Sequence, residues 1–158
     1  MNNAMPTTSQ PPGGSRLNLL LSYGGWRQTT AIAQLPQLLA PMGIHSIHVE
    51  SGEEAARAID EFAIHIAIVD LAIPLQRDLP SKPGGPRILQ LLRRLAQPPP
   101  TVVIRPPPVT ARQSARGLTE ALREGAFAVL DRPIELESML EVMRRILRRH
   151  YADVWPLS

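Results

Sequence analysis

The sequence predicts an α/β fold in which a single parallel β-sheet carries helices on both faces. Short apolar or β-branched segments alternate along the chain with longer segments whose apolar residues recur at helical spacing. Glycines and prolines separate most of these segments. Because neighbouring parallel strands need a right-handed crossover connection, a regular alternation of strand and helix favours one parallel sheet over an antiparallel one.

Length and composition fit one domain. The chain has 158 residues, 44% of them hydrophobic, which is enough for one sizeable core. We predict a domain over residues 16–151, a disordered N-terminal segment over 1–15 and a C-terminal tail over 152–158. No segment has the pattern of a membrane span or a signal peptide, so we expect a cytoplasmic protein with no membrane partner. The absence of cysteine excludes disulfides, thiolate metal sites and thiol nucleophiles.

Five apolar segments are predicted to be strands. They are Leu17–Leu21, Ile44–Val49, Ile64–Val69, Thr101–Arg105 and Ala126–Leu130. The third is nearly continuous in β-branched residues, as expected for a central strand buried on both faces, and Asp70 follows at its carboxyl end. Proline triplets on both sides limit the fourth strand. We predict the flavodoxin-like strand order 2-1-3-4-5.

Helical spacing predicts five helices between and after these strands. The first contains Pro36, which either kinks it or marks a late start. The second begins at Ser51-Gly52-Glu53-Glu54, which fits a capping box. The other three are Arg87–Leu95, Ala111–Glu124 and Leu136–Tyr151. Between them, Leu75–Pro86 is rich in proline, glycine and charge and is predicted to be an extended loop.

Candidate site residues gather where the predicted strands end. In open parallel sheets, binding sites form at the carboxyl ends of the strands. The residues placed there are Ser22, Tyr23, Asp70, Arg105 and Arg132. His45, His48 and His65 lie on neighbouring strands, but the first two point to opposite faces, so we interpret these histidines as strand-surface residues and not as metal ligands.

Several spaced motifs resemble those of response-regulator receiver (CheY-like) domains. They are Gly43, Ser51–Ala55, the Asp70-Leu71-Ala72-Ile73-Pro74 ending of the third strand, and Gly125–Pro133 followed by the last helix. Together they span roughly residues 16–150. The resemblance implies a two-component signalling module that is not an enzyme, with Asp70 at the phosphoacceptor position. It also implies an acidic pair that binds Mg²⁺ after the first strand, a Thr or Ser ending the fourth strand, and a Lys before the late proline.

The sequence departs from that pattern at the metal site. No Asp or Glu occurs from Met1 to Val49, so no alignment can supply the acidic pair. Either Ser22-Tyr23 or Trp26-Arg27 takes the place of the acidic pair. We expect the apolar rings of Tyr23 and Trp26 to fill the volume that the acidic side chains would otherwise take. Phosphoryl transfer to an aspartate needs the metal to neutralise developing charge. We therefore expect no bound cofactor.

Two further departures concern the pocket around Asp70. Arg132 replaces the lysine before Pro133, which makes an Arg132–Asp70 ion pair an expectation. The resemblance also suggests a cis peptide before Pro133. The Thr/Ser position falls on Thr110 when counted back from Gly125, or on Arg105, where the fourth strand ends.

The leading hypothesis is a pseudo-receiver, a module that regulates by protein–protein contact without Mg²⁺-dependent phosphorylation. Its partner would be a histidine kinase, an output protein or a second copy, bound through the face built from 111–151, with a homodimer as one option. The alternative is a phosphorylatable receiver that uses Asp70 and Mg²⁺. A third class is a nucleic-acid accessory protein using the arginine-rich last helix. Nucleic acid is not the expected partner, because solvation explains these arginines.

Overall fold

The computed structural model describes residues 17–24, 30–106 and 110–151. The predicted terminal segments 1–15 and 152–158, and Trp26 and Arg27, lie outside the described residues. The described elements, in chain order, are β1 Leu17–Ser22, α1 Thr30–Leu39, a 3₁₀ turn Ala40–Met42, β2 Ile44–Val49, α2 Gly52–Glu61, β3 Ile66–Asp70, β4 Pro74–Gln76, β5 Leu79–Pro83, α3 Gly85–Arg93, β6 Thr101–Arg105, α4 Ala111–Arg123, β7 Ala128–Asp131 and α5 Leu136–Tyr151. No helix within these ranges is long and apolar enough to cross a membrane.

Five of these strands form one parallel sheet in the order β2-β1-β3-β6-β7. Numbered among themselves, these strands run 2-1-3-4-5, so the predicted flavodoxin-like order is confirmed. β3 lies at the centre, with Leu19 opposite Ile66 on one side and Val102 opposite Ile68 on the other. All its side chains are buried, in agreement with its continuous apolar sequence.

The sheet separates two hydrophobic cores because strand side chains alternate between its faces. Leu19, Leu21 and Tyr23 pack on the side covered by α1 and α5. Leu20 and Val69 pack on the opposite side, which α2 and α3 cover. Helices therefore lie on both faces, as predicted, and burial of each large aliphatic side chain contributes about 1.5–3 kcal/mol to folding.

The predicted capping box is present at the start of α2. The Glu54 backbone N–H donates to Ser51 Oγ at 3.1 Å, and the Glu50 N–H donates to Glu54 Oε1 at 3.0 Å. These two bonds satisfy backbone donors that a helix start leaves unpaired. Pro36 lies inside α1, so the late helix start that we considered is not what the chain adopts.

The extended loop predicted over Leu75–Pro86 is wrong in part, because it contains the antiparallel hairpin β4–β5. Pro74 pairs with Pro83 at the outer end of the hairpin, and Pro80 is the second residue of β5. Both strands of a two-stranded sheet are edge strands, on which proline is tolerated. The Gly84 N–H donates to Ile73 O and closes the base of the hairpin. Gly85 then starts α3 against the backbone of Leu71, and a Cβ there would lie 2.6 Å from Leu71 Cα.

Candidate functional site: the carboxyl edge of the sheet

The candidate site lies at the carboxyl ends of the parallel strands. Strand register aligns Asp70 with Ile104 of β6 and aligns Arg105 with Asp131 of β7. The Arg132 backbone N–H donates to Arg105 O at 3.0 Å, which extends this alignment one residue beyond β7. The register therefore brings the ends of β3, β6 and β7 to one edge, as the predicted topology requires.

Asp70 is the buried carboxylate of this site. It ends β3 and is 1% exposed. The Ala72 backbone N–H donates to Asp70 Oδ1 at 3.0 Å, and the Arg132 guanidinium donates through Nη2 to Asp70 Oδ2. The predicted Arg132–Asp70 ion pair is thus present. Both carboxylate oxygens have a donor, as a buried charge requires.

Arg132 is held by an aromatic ring as well as by the carboxylate. Its guanidinium carbon lies 4.5 Å from the centroid of the Tyr23 ring, within the range of a cation–π contact. The peptide bond between Arg132 and Pro133 is cis, as the resemblance suggested. One third of the Arg132 side chain is exposed, so the guanidinium closes the site from the solvent side.

Tyr23 occupies the position directly after β1, where the resembling family carries its acidic pair. The ring is 1% exposed and belongs to the same core cluster as Leu21. The Tyr23 backbone N–H donates to Val49 O at 3.3 Å, which fixes this residue as a continuation of β1. Tyr23 thus contributes a buried aromatic ring at this edge of the sheet. The alternative place for the acidic pair, Trp26-Arg27, lies outside the described residues.

Arg105 is close to Arg132 in the fold but binds a different carboxylate. Its guanidinium pairs with Asp131 of β7, through Nε to Oδ1 and through Nη2 to Oδ2. It also lies against α4, where a Cβ added to Gly117 would be 2.7 Å from Arg105 Nη1. Sequence reasoning missed Asp131 as a partner, although it immediately precedes Arg132 in the quoted motif.

Three other predicted pocket residues do not join the Asp70–Arg132 pair. Thr110 caps α4, and the Gln113 backbone N–H donates to its Oγ1 at 3.0 Å. Ser22 is buried, and its place between Leu21 and Tyr23 directs its side chain to the opposite sheet face. Pro133 directly follows Arg132 in sequence, and it is exposed. Of the two candidates for the Thr/Ser position, Arg105 is the one that ends β6.

These residues do not fit a Mg²⁺ ion. A hard cation takes about six oxygen ligands, several of them carboxylate or water. Here one oxygen of Asp70 is bound to a guanidinium, that guanidinium lies over the Tyr23 ring, and no Asp or Glu occurs from Met1 to Val49. Within residues 17–24, 30–106 and 110–151, no group of three or more His, Asp or Glu side chains could hold a metal ion.

A second polar cluster lies at the other end of the sheet, around His65. The Asn18 backbone N–H donates to His65 Nδ1 at 2.9 Å, and the Tyr151 hydroxyl donates to His65 O. Burial lowers the pKa of His65 and raises the pKa of Tyr151. The strand-surface interpretation holds for His45, which is exposed, but His65 is half-buried and ties β1 to α5.

In the face built from α4, β7 and α5, the first two elements are only weakly buried. None of the described side chains of α4 is buried, and Leu118 and Leu122 are 39% and 47% exposed. Val129 and Leu130 of β7 are only half-buried, whereas the other four strands of the sheet carry fully buried side chains. This face lies within the range 111–151 that we predicted as a partner-binding surface.

Comparison with known proteins identifies the fold. No protein-family model and no curated protein matches the chain, whereas solved structures do. The receiver domain of a Francisella response regulator superposes with a TM-score of 0.63 at 17% identity, over 84% of this chain and 98% of that one. A Clostridium difficile two-component response regulator gives 0.62 at 19% identity, over 85% and 98%. A Thermotoga maritima response regulator gives 0.59 at 17% identity, over 84% and 98%.

Proposed function

We propose that this chain, which has the fold of response-regulator receiver domains, is a pseudo-receiver that acts by binding a protein partner and not by Mg²⁺-dependent phosphorylation. The observation that carries the proposal is the Arg132–Asp70 ion pair. In this pair the guanidinium is bound to the carboxylate that would have to accept a phosphoryl group. Asp70 and Arg132 then have a structural role at the edge of the sheet.

The chemistry of the pair supports this proposal. A phosphoryl donor would bring further negative charge to a 1% exposed carboxylate. Phosphoryl transfer depends on cations that neutralise this charge and on an open approach in line with the accepting oxygen. Arg132 supplies one positive charge, but its Nη2 lies on the accepting carboxylate and its guanidinium stacks on Tyr23. For transfer to occur, Arg132 would have to leave both contacts.

The partner surface of the proposal is the α4–β7–α5 face. Exposed leucines on a surface helix, Leu118 and Leu122, lie beside a half-buried edge strand. Apolar side chains interleaved with arginine are the composition that protein interfaces favour at their centres. A histidine kinase, an output protein or a second copy of the chain would each suit this surface.

The proposal is tested by incubating the chain with acetyl phosphate or beryllofluoride, with and without Mg²⁺, followed by intact-mass measurement and thermal melting. We expect no adduct and no Mg²⁺-dependent change in melting temperature. Asp70→Asn, which removes the acceptor and keeps the shape, is the matched control. A Mg²⁺-dependent adduct or melting shift that disappears in Asp70→Asn would refute the proposal and establish the chain as a phosphorylatable receiver.

A partner experiment tests the other half of the proposal. Leu118→Glu and Leu122→Glu place charge on the exposed apolar stripe of α4 without disturbing a buried side chain. We expect these variants to remain folded and to lose binding to the physiological partner, or to lose self-association in sedimentation experiments. Leu38→Glu, on a residue of α1 that is 43% exposed, is the control and should bind as the wild type does.

A further inference from the structure

A cleft lies between α3 and α4 at the end of the sheet opposite Asp70. Its volume is about 310 Å³. It is lined by Thr101, the first residue of β6, and by Gly125 and Ala126, which precede β7. Because these residues mark the amino ends of their strands, the cleft is separate from the site described above.

Apolar side chains form the base and both walls of this cleft. Leu92 and Val103 are buried at its base, and Leu89 and Ala121 are half-buried on its two walls. Pro99 completes the lining on the side of the α3–β6 connection. Apolar recesses of this kind accommodate one or two large side chains of a bound segment.

The rim of the cleft is cationic. Arg93 ends α3 and Arg123 ends α4, and both line the cleft and are exposed. Among the described residues, neither forms an ion pair. Glu124 is the acidic residue of the rim. A helix C-terminus favours a nearby cation, which accounts for one arginine on each helix. The helix dipole does not explain why Arg93 and Arg123 lie on opposite walls of the same apolar recess.

Further arginines lie on α5, on the sheet face opposite α3. Phe127 directly follows the cleft residue Ala126, and the guanidinium carbon of Arg145 lies 6.0 Å from the centroid of its ring. Arg148 and Arg149 are exposed in the last turn of the same helix. The cationic character of the cleft itself therefore rests on Arg93 and Arg123, which favour association with a negatively charged partner.

We propose that this cleft binds an acidic peptide segment of a partner protein, with an apolar side chain inserted between α3 and α4 and carboxylates directed toward Arg93 and Arg123. The apolar recess favours a peptide over a nucleic acid, which is held by arginine together with aromatic side chains on which bases stack. None of the described residues that line the cleft is aromatic. The proposal does not depend on the chemistry at Asp70.

The test uses the full chain and a fluorescein-labelled peptide, Glu-Asp-Leu-Glu-Asp, in fluorescence anisotropy titrations. Two companion probes are the same peptide with glycine in place of leucine and a labelled single-stranded oligothymidylate. The variant Arg93→Glu/Arg123→Glu reverses both rim charges, and Ala121→Met fills the recess. The control Arg57→Glu/Arg87→Glu makes the same change in net charge on exposed residues of α2 and α3 that line neither the cleft nor the α4–β7–α5 face.

We expect saturable binding of the leucine peptide that weakens by about tenfold in the rim variant, because two solvent-exposed charge contacts are each reversed. Ala121→Met and the glycine peptide should weaken binding as well, whereas the control variant should bind like the wild type. Absence of saturable binding, or equal weakening in the control variant, would overturn the proposal. So would binding of the oligothymidylate in place of the peptide. Because the rim residues are exposed, their variants should fold, and thermal melting checks this.

Discussion

Replacing Arg132 by methionine removes the guanidinium of the ion pair while keeping most of the apolar length of the side chain. Among the described residues, the Ala72 N–H would then be the only donor left to the carboxylate of Asp70, which is 1% exposed. A hydrogen bond to a charged group contributes about 1.5–3 kcal/mol, and a cation–π contact about 0.5–1 kcal/mol. Because 33% of the Arg132 side chain is exposed, we take the lower half of each range. The free energy of unfolding should fall by about 2.5 kcal/mol.

A double-mutant cycle separates the ion pair from the packing of Arg132. In the Asp70→Asn background no carboxylate charge remains, so Arg132→Met should lose only the stacking on Tyr23, about 0.5–1 kcal/mol. The coupling free energy between the two positions should therefore be about 1.5–2 kcal/mol. Urea denaturation at pH 7.5, analysed by linear extrapolation, measures all four proteins.

The exposed Arg116 of α4 supplies the control for this cycle. Arg116→Met changes the same chemical group away from any buried carboxylate and should alter the free energy of unfolding by no more than about 0.5 kcal/mol. A coupling free energy below about 0.5 kcal/mol between positions 70 and 132 would refute the reasoning, because the two side chains would then be energetically independent.

Three further predictions concern other parts of the fold. Gly85→Ala should lower the free energy of unfolding by about 2 kcal/mol or more, because its Cβ would meet the Leu71 backbone at 2.6 Å; a urea midpoint unchanged from the wild type would contradict this. Ser51→Ala removes the acceptor for a helix N–H and should lower it by about 1 kcal/mol in the same assay, and no loss would show that the cap is not stabilising. Burial lowers the pKa of His65, so its contribution to stability is present above pH 6.5 and is lost as the pH falls through its folded pKa. His65→Asn keeps an acceptor for the Asn18 N–H but does not titrate. The difference in free energy of unfolding between the wild type and this variant should therefore shrink between pH 7.5 and pH 5. A difference independent of pH would show that His65 does not make stability depend on pH.

The sheet order and the ion pair could be predicted from the sequence for physical reasons. The continuous β-branched run of β3 and the alternation of strands with helices leave few parallel topologies. Once the order is set, Asp70 and Arg132 follow strands that end at the same edge. A buried carboxylate must find a donor, and the order brings both Arg105 and Arg132 to this edge. The resemblance, which places Arg132 at the family's lysine position, favoured Arg132.

The remaining features depend on contacts that the local sequence does not encode. The β4–β5 hairpin was missed because proline usually argues against strands, whereas both strands of a two-stranded sheet are edge strands, on which proline is tolerated. Asp131 was missed because its partner, Arg105, lies on another strand. His65 was interpreted as a surface residue because its burial results from the distant Tyr151.

The weak burial of α4 has a consequence for the energetics of the whole face. A helix with no buried side chain among its described residues can open without exposing the main core, so its opening free energy is lower than that of global unfolding. Amide hydrogens of α4 should consequently exchange with solvent faster than those of β3. If a partner orders α4 on binding, part of the binding free energy is spent on that ordering. Substitutions in α4 that change how easily the helix opens therefore change the affinity of the complex, even where they do not contact the partner.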